Sequence, residues 1–365
     1  MQKEMNKENI QFRILYFIGI LLVVAGHAGG GSTSLFYEWF PIYSFHMALF
    51  IFCSGYFFIN NKDKKIIDVI KKLIKKFLIP LYLWNLFYGI LLTILHKCGI
   101  EFGLNISLKS LFILPMYDGH QFILNLASWF VWPLVIIQFI NIFVLKILNK
   151  NDKLYYLYFL ITLLLGFIGV TIAIKGYNKG FYLLLDKVLY FLPFFSLGML
   201  YRVKLEKKDT SNNLIYFSIL LFITLIEIYI FGGTERYFIA WCKNFDNFYR
   251  PFIVGIIGIA FWLRVSKILV PILKDNKIIN KISKNTFGIM MHHLTGFFLL
   301  STIWYLLSKV GIITKFNVHL YKNEIYYFYL PKGIKNFIIL YVVAGFAYSL
   351  FVINIIDKIK TKLKK

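Results

Sequence analysis

The chain is poor in acid. Only 17 Asp and Glu stand against 41 Lys and Arg in 365 residues, a net charge of +24. It has no glycine-rich loop ending in Lys-Ser or Lys-Thr, so nothing points to nucleotide hydrolysis. It has no Gly-x-Ser-x-Gly, which removes the nucleophile-elbow serine hydrolases. Its 3 cysteines, Cys53, Cys98 and Cys242, show no metal-ligand spacing, so no metal is expected. A disulfide between Cys98 and Cys242 is neither required nor excluded, because spacing cannot establish contact. Internal repeats and long polar stretches are missing too, so no separate soluble domain is expected. The first apolar run lacks a small-residue cleavage site and is followed by another apolar run, which argues against a cleaved signal.

Apolar side chains are plentiful. The sequence is 59% hydrophobic and 19% aromatic, beyond what the core of a soluble domain can hide. The apolar residues fall in blocks of about 17–22, the length that crosses a bilayer as a helix. The expected fold is therefore all-α: a polytopic transmembrane helix bundle forming one integral-membrane domain over residues 1–365. Ten spans are expected, at 12–29, 41–59, 77–95, 127–147, 154–174, 182–201, 213–231, 250–266, 285–306 and 335–356. The gaps then alternate between two sides, and roughly two thirds of the 41 Lys and Arg lie on the side that holds both termini. That side is expected to be cytoplasmic. The cations sit in gaps between apolar blocks and form no basic face interleaved with stacking aromatics, so the excess charge points to membrane lipid and away from nucleic acid.

Against this background the stretch from Arg13 to Tyr56 stands out. His27 lies near the end of the first apolar run, in VVAGHAGGGS, and His46 near the start of the second, in YSFHMALFIFCSGYFF. Ionisable groups in hydrocarbon are costly and mark functional sites by default. At about 1.5 Å per residue, His27 lies roughly 20 Å beyond Arg13. His46 should reach a similar depth from the other side, so the two imidazoles are expected to line one cavity as base or proton shuttle. A neutral histidine hydrogen-bonded within a bundle is the plainer alternative. Glu38 and the GGGSTS segment lie beside the expected cavity, and Gly55 suits close helix packing.

Lys72, Lys75 and Lys76, in KKLIKKFLIP, can hold the phosphates of a nucleotide-like donor or serve only as a positive-inside signal. Arg13 carries the same ambiguity. In NTFGIMMHHL, His292 and His293 point about 100° apart, so at most one is expected to face the interior. Glu227 is a further intramembrane acid, expected to pair with a base or to lie near the outer interface. Asp186 and Lys187 are expected at the outer interface.

The series ILLVVAGH, SFHMALFIFCSGYFF and KKFLIPLY resembles the acyltransferase 3 family of integral membrane proteins, and SWFVWPLVI, YFLPFFSLGMLY and NTFGIMMHHL follow in the family's order. The resemblance implies transfer of an acyl group, commonly acetyl, from cytoplasmic acetyl-coenzyme A or another acyl-coenzyme A. The acceptor it implies is a hydroxyl of an extracytoplasmic or lipid-linked glycan. It also implies a bacterial plasma membrane as the location. It places the family's histidines on His27, His46 and His293, and its basic pair on Lys72 with Lys75 or Lys76. His27 and His46 become catalytic candidates, with an acyl-histidine intermediate as a variant. Arg13 and the lysines become donor-binding candidates, and Glu38 and His293 acceptor-binding candidates. Tyr16 stands where many members have an arginine, and Arg13 lies one helical turn earlier. The Phe-His-Met segment places the chain nearer the sugar O-acetylases and intercellular-adhesin O-acyltransferases. A transporter or flippase for a polysaccharide or lipid-linked sugar is the rival class, and a sensory or scaffolding membrane protein a third.

Overall fold

The computed structural model describes residues 9–28, 34–35, 40–233, 236–330 and 337–362. Backbone polar groups find no partner in lipid, so an apolar run that crosses a membrane folds as a helix. The first such run is α1 (Ile10–Ala28). A short antiparallel pair, Ser34–Leu35 with Phe40–Pro41, precedes α2 (His46–Phe58). Next, α3 (Ile66–Leu73) passes through a π-helical turn, Ile74–Leu78, directly into α4 (Ile79–Lys97). After α5 (Leu114–Tyr117) and a 3-10 stretch, Ile123–Phe130, come α6 (Val131–Leu148), α7 (Leu154–Ile174), α8 (Gly180–Leu200) and α9 (Asn213–Phe231). The remaining helices are α10 (Arg250–Leu273), α11 (Lys277–Lys284), α12 (Thr286–Lys309), α13 (Val318–Asn323) and α14 (Phe337–Lys362).

Among the described residues, 9 helices are long and apolar enough to cross a membrane, which makes this an all-α, multi-pass membrane protein. The expected span 41–59 is not among them. Its α-helix has 13 residues, flanked by 3-10 turns at 42–44 and 59–61. Pro41 holds an extended conformation at the start, which delays the helix to His46.

The chain divides into two compact units, 1–19 with 34–79 and 130–279, and 20–33 with 80–129 and 280–365. In the first unit α2 crosses α8 at two glycines. A Cβ on Gly55 would meet the Phe195 carbonyl oxygen at 1.9 Å, and one on Gly198 would meet that of Phe52 at 2.1 Å. Both obstacles are main chain, so neither yields by a rotamer change. Close packing through small residues is how helices associate in lipid. Gly198→Val is expected to lower stability by about 3 kcal/mol or more through overpacking. Thermal unfolding of the detergent-purified protein measures this, and an unchanged midpoint would contradict the crossing.

The same unit contains a largely exposed apolar helix. Along α9 the buried residue is Glu227, while Leu214 and Tyr229 are 77% and 89% exposed. Glu227 accepts a 2.5 Å hydrogen bond from Arg250 Nε at the start of α10, and Arg250 also engages Asp246 and the Gly233 carbonyl. Of the two roles the sequence left open for Glu227, the structure shows the paired one. Asp186 and Lys187, expected at the outer interface, are both buried among the side chains packed on α8.

In the second unit α12 packs on α14. A Cβ on Gly296 would lie 2.5 Å from the Ala344 carbonyl oxygen, and Gly345 leaves room for Phe297 and His293. Tyr88 and Leu92 of α4 join Phe102, Phe122, Phe298 and Tyr321 in an apolar core beside these helices. All three cysteines carry free thiols. Burial pushes the Cys242 thiol up from its ordinary pKa, which keeps it protonated and unreactive.

Candidate active site

His27 occupies the last turn of α1, in the part of that helix belonging to the second unit. Its Nδ1 lies 2.7 Å from His293 Nε2, and the two buried rings stack at 4.9 Å with 16° between their planes. His293 Nδ1 lies 3.0 Å from the Ile289 carbonyl oxygen. A carbonyl only accepts, so His293 Nδ1 must carry a proton. A neutral His293 then has its lone pair on Nε2 and accepts from His27 Nδ1–H. A neutral His27 in turn has its lone pair on Nε2. The chain of bonds fixes one tautomer per ring and makes His27 Nε2 the basic nitrogen. Once His27 takes a proton, its bond to His293 becomes charge-assisted and stronger.

His292 uses a different wall of the same unit. Tyr88 Oη lies 2.8 Å from His292 Nδ1 and accepts a 3.1 Å bond from Thr295 Oγ1. Trp84 meets the imidazole edge-on at 4.2 Å. Both late histidines are therefore buried, against the expectation of at most one. Their directions do diverge along α12, but this unit has packing partners on both sides. Sequence reasoning missed Tyr88. The signal available was its i, i+4 spacing from Trp84 within one apolar span.

His46 belongs to the first unit and begins α2. Its Nδ1 lies 2.8 Å from the Ile42 carbonyl oxygen, so the same argument puts its lone pair on Nε2. Tyr43 lies against its ring at 4.9 Å. Glu38 lies outside the described residues.

The donor-side candidates are also in the first unit. Lys72 lies in α3, and Lys75 and Lys76 in the π-helical turn, all three exposed. Their i, i+3, i+4 spacing groups them on one side of the helix. Lys64, just before α3, is held below the ordinary lysine pKa, first by partial burial and then by the charge of Lys72. Arg13 sits in the first turn of α1 and donates to the carbonyl of Lys274, which caps α10. A cation at a helix C-terminus is favourable, so Arg13 ties these helix ends together as well as carrying charge. Tyr16 stacks on Phe57 at 5.9 Å, so this position serves packing. Among the described residues, no group of three or more His, Cys, Asp or Glu side chains is placed to hold a metal.

Among the described residues, long apolar helices and buried, hydrogen-bonded histidines thus occur together in a membrane-spanning protein. The chain matches the Acyl_transf_3 family, an acyltransferase domain, over residues 11–357, and belongs to that family. It is a membrane-bound O-acyltransferase, and membership supports an acyl-coenzyme A donor. Comparison with curated proteins and with solved structures gives no match.

Proposed function

We propose that this enzyme moves an acyl group, acetyl in the first instance, from cytoplasmic acyl-coenzyme A to a hydroxyl of an extracytoplasmic or lipid-linked glycan. Its type would be a sugar O-acetylase or intercellular-adhesin O-acyltransferase. The protein would act as one catalytic domain of ten spans in the bacterial plasma membrane, with both termini cytoplasmic. The observation that carries this reading is the His27–His293–Ile289 hydrogen-bond chain, because it leaves His27 with a basic Nε2 inside a membrane-spanning bundle.

In the proposed reaction His27 Nε2 takes the proton of the acceptor hydroxyl while that oxygen bonds to the thioester carbonyl carbon. The tetrahedral intermediate collapses, the C–S bond breaks, and the thiolate leaves with the proton returned by His27. His293 holds the His27 ring and shares the transient charge, a positioning role in place of the acceptor contact expected from the sequence. His46 orients the acceptor by accepting a hydrogen bond at Nε2, since its only N–H is committed to Ile42. Lys72, Lys75 and Lys76, with Arg13, take the phosphates of the donor. Glu38 is assigned to the acceptor.

The test uses purified protein, labelled acetyl-coenzyme A and glycan from producing cells. Label should pass to the glycan as an ester. Changing Lys72, Lys75 and Lys76 together to alanine should raise the KM for acetyl-coenzyme A by about tenfold or more, the equivalent of about 1.4 kcal/mol of lost binding. Movement of unmodified glycan without any donor would instead support the transporter class.

A further inference from the structure

The loop before α6 contains polar groups that the reaction above does not use, all within the second unit. Asp118 follows α5, and its carboxylate pairs with His120 Nδ1. Between them Gly119 adopts φ +77°, and a Cβ there would lie 2.3 Å from Trp129 Cα. Ser128 Oγ donates to the Gly119 carbonyl at 3.2 Å. This fixes the Asp118–His120 turn against Trp129, whose ring lies nearly parallel to His120 at 6.5 Å and 19°.

Behind this turn the polar groups are anchored but unsatisfied. Gln121 is buried, and its Nε2 donates to Asn85 Oδ1 at 2.5 Å. Asn85 in turn donates to the Ser110 and Leu111 carbonyls, so the Gln121 amide cannot turn freely. Gln121 Oε1 is left without a partner. Asn125 is 2% exposed, and neither its Oδ1 nor its Nδ2 has a partner. It sits in the non-helical kink of the 3-10 stretch, at φ −114° and ψ 26°. Buried amides are seldom left in this state, and each such case calls for an explanation.

We propose that residues 118–129 form a binding site for a hydroxyl-rich ligand, the sugar acceptor of the transferase. The proposal rests on the acyltransferase reading for the identity of that ligand. Asn125 and Gln121 together offer amide oxygens that need donors and an amide nitrogen that needs an acceptor. A hydroxyl donates and accepts from one atom, so neighbouring hydroxyls meet both demands. Trp129, 6% exposed, backs the Gly119 turn of this segment, and the 44%-exposed Asp118 carboxylate can accept a further hydroxyl. No lysine or arginine lies among residues 118–129, which disfavours the phosphates of the donor.

The test compares full-length wild type, Asn125→Leu and Asp118→Asn. Asn125→Leu keeps the shape and removes both orphaned atoms. Asp118→Asn alters a half-exposed group and serves if the first variant does not fold. The probe is the glycan fraction extracted from producing cells that lack the gene. Its binding is measured directly, and its half-saturating concentration is measured in labelled transfer. Both should weaken by about tenfold, while hydrolysis of acetyl-coenzyme A without glycan stays within about twofold of wild type. Unchanged glycan binding in variants of normal thermal stability overturns the site, with water then satisfying the amides. Loss of donor hydrolysis along with glycan binding also overturns it, since the segment would then be structural. Wild type that binds glycan without transferring label would strike the acyltransferase reading alone, and the binding comparison would still decide the site.

Discussion

His27→Ala is expected to lower acyl transfer by about 10²–10⁴-fold, the range for loss of a positioned general base. Without it the acceptor hydroxyl must attack the thioester while still holding its proton. His293→Ala should cost less, about 10–100-fold, because the base remains but its Nδ1–H loses the acceptor that fixes tautomer and ring direction. The double variant should be little worse than His27→Ala, since the two rings act as a unit. The assay is labelled acetyl transfer by purified protein at matched folded amounts. Full activity in His27→Ala would end the base assignment. Equal, additive losses from the two substitutions would end the positioning role of His293.

Arg250→Met should destabilise the protein by about 3–5 kcal/mol, the cost of breaking a buried ion pair on one side. Arg250 joins Glu227 of α9, the residue Asp246 and the Gly233 carbonyl, and its guanidinium lies 4.4 Å over the Phe231 ring. Because α9 buries little besides Glu227, the loss should fall on the docking of that helix. Glu227→Met combined with Arg250→Met should recover much of the stability by removing both charges. Thermal unfolding of the four proteins in detergent gives the coupling energy. A single Arg250→Met variant as stable as wild type would show that the pair contributes nothing.

The expected spans at 154–174 and 213–231 coincide with α7 and α9. Each is an unbroken apolar run between polar flanks, so the solvent boundary sets the ends. The second run was less legible, because hydropathy does not register that Pro41 and a 3-10 turn use part of its length before α2 begins. The packing role expected of Gly55 is present at the α2–α8 crossing, since helices in lipid approach closely at small side chains. At the site, His27 was legible as an ionisable group in hydrocarbon, but its partner was not. His293 is 266 positions away, and no local period encodes that contact. The Asp118–His120 pair escaped notice for a different reason. Its geometry comes from the Gly119 turn and the fit against Trp129, which no local spacing in the sequence encodes.

The hydrogen-bond chain from His27 ends on the main-chain carbonyl of Ile289. A peptide carbonyl has no proton to give and too little basicity to keep one. In the proposed reaction, the charge His27 gains therefore has no exit through His293, and the proton goes back to the departing thiolate. Each turnover then closes its own proton cycle at one ring. The chemistry would be electrically silent across the bilayer, and the membrane voltage would neither drive it nor oppose it.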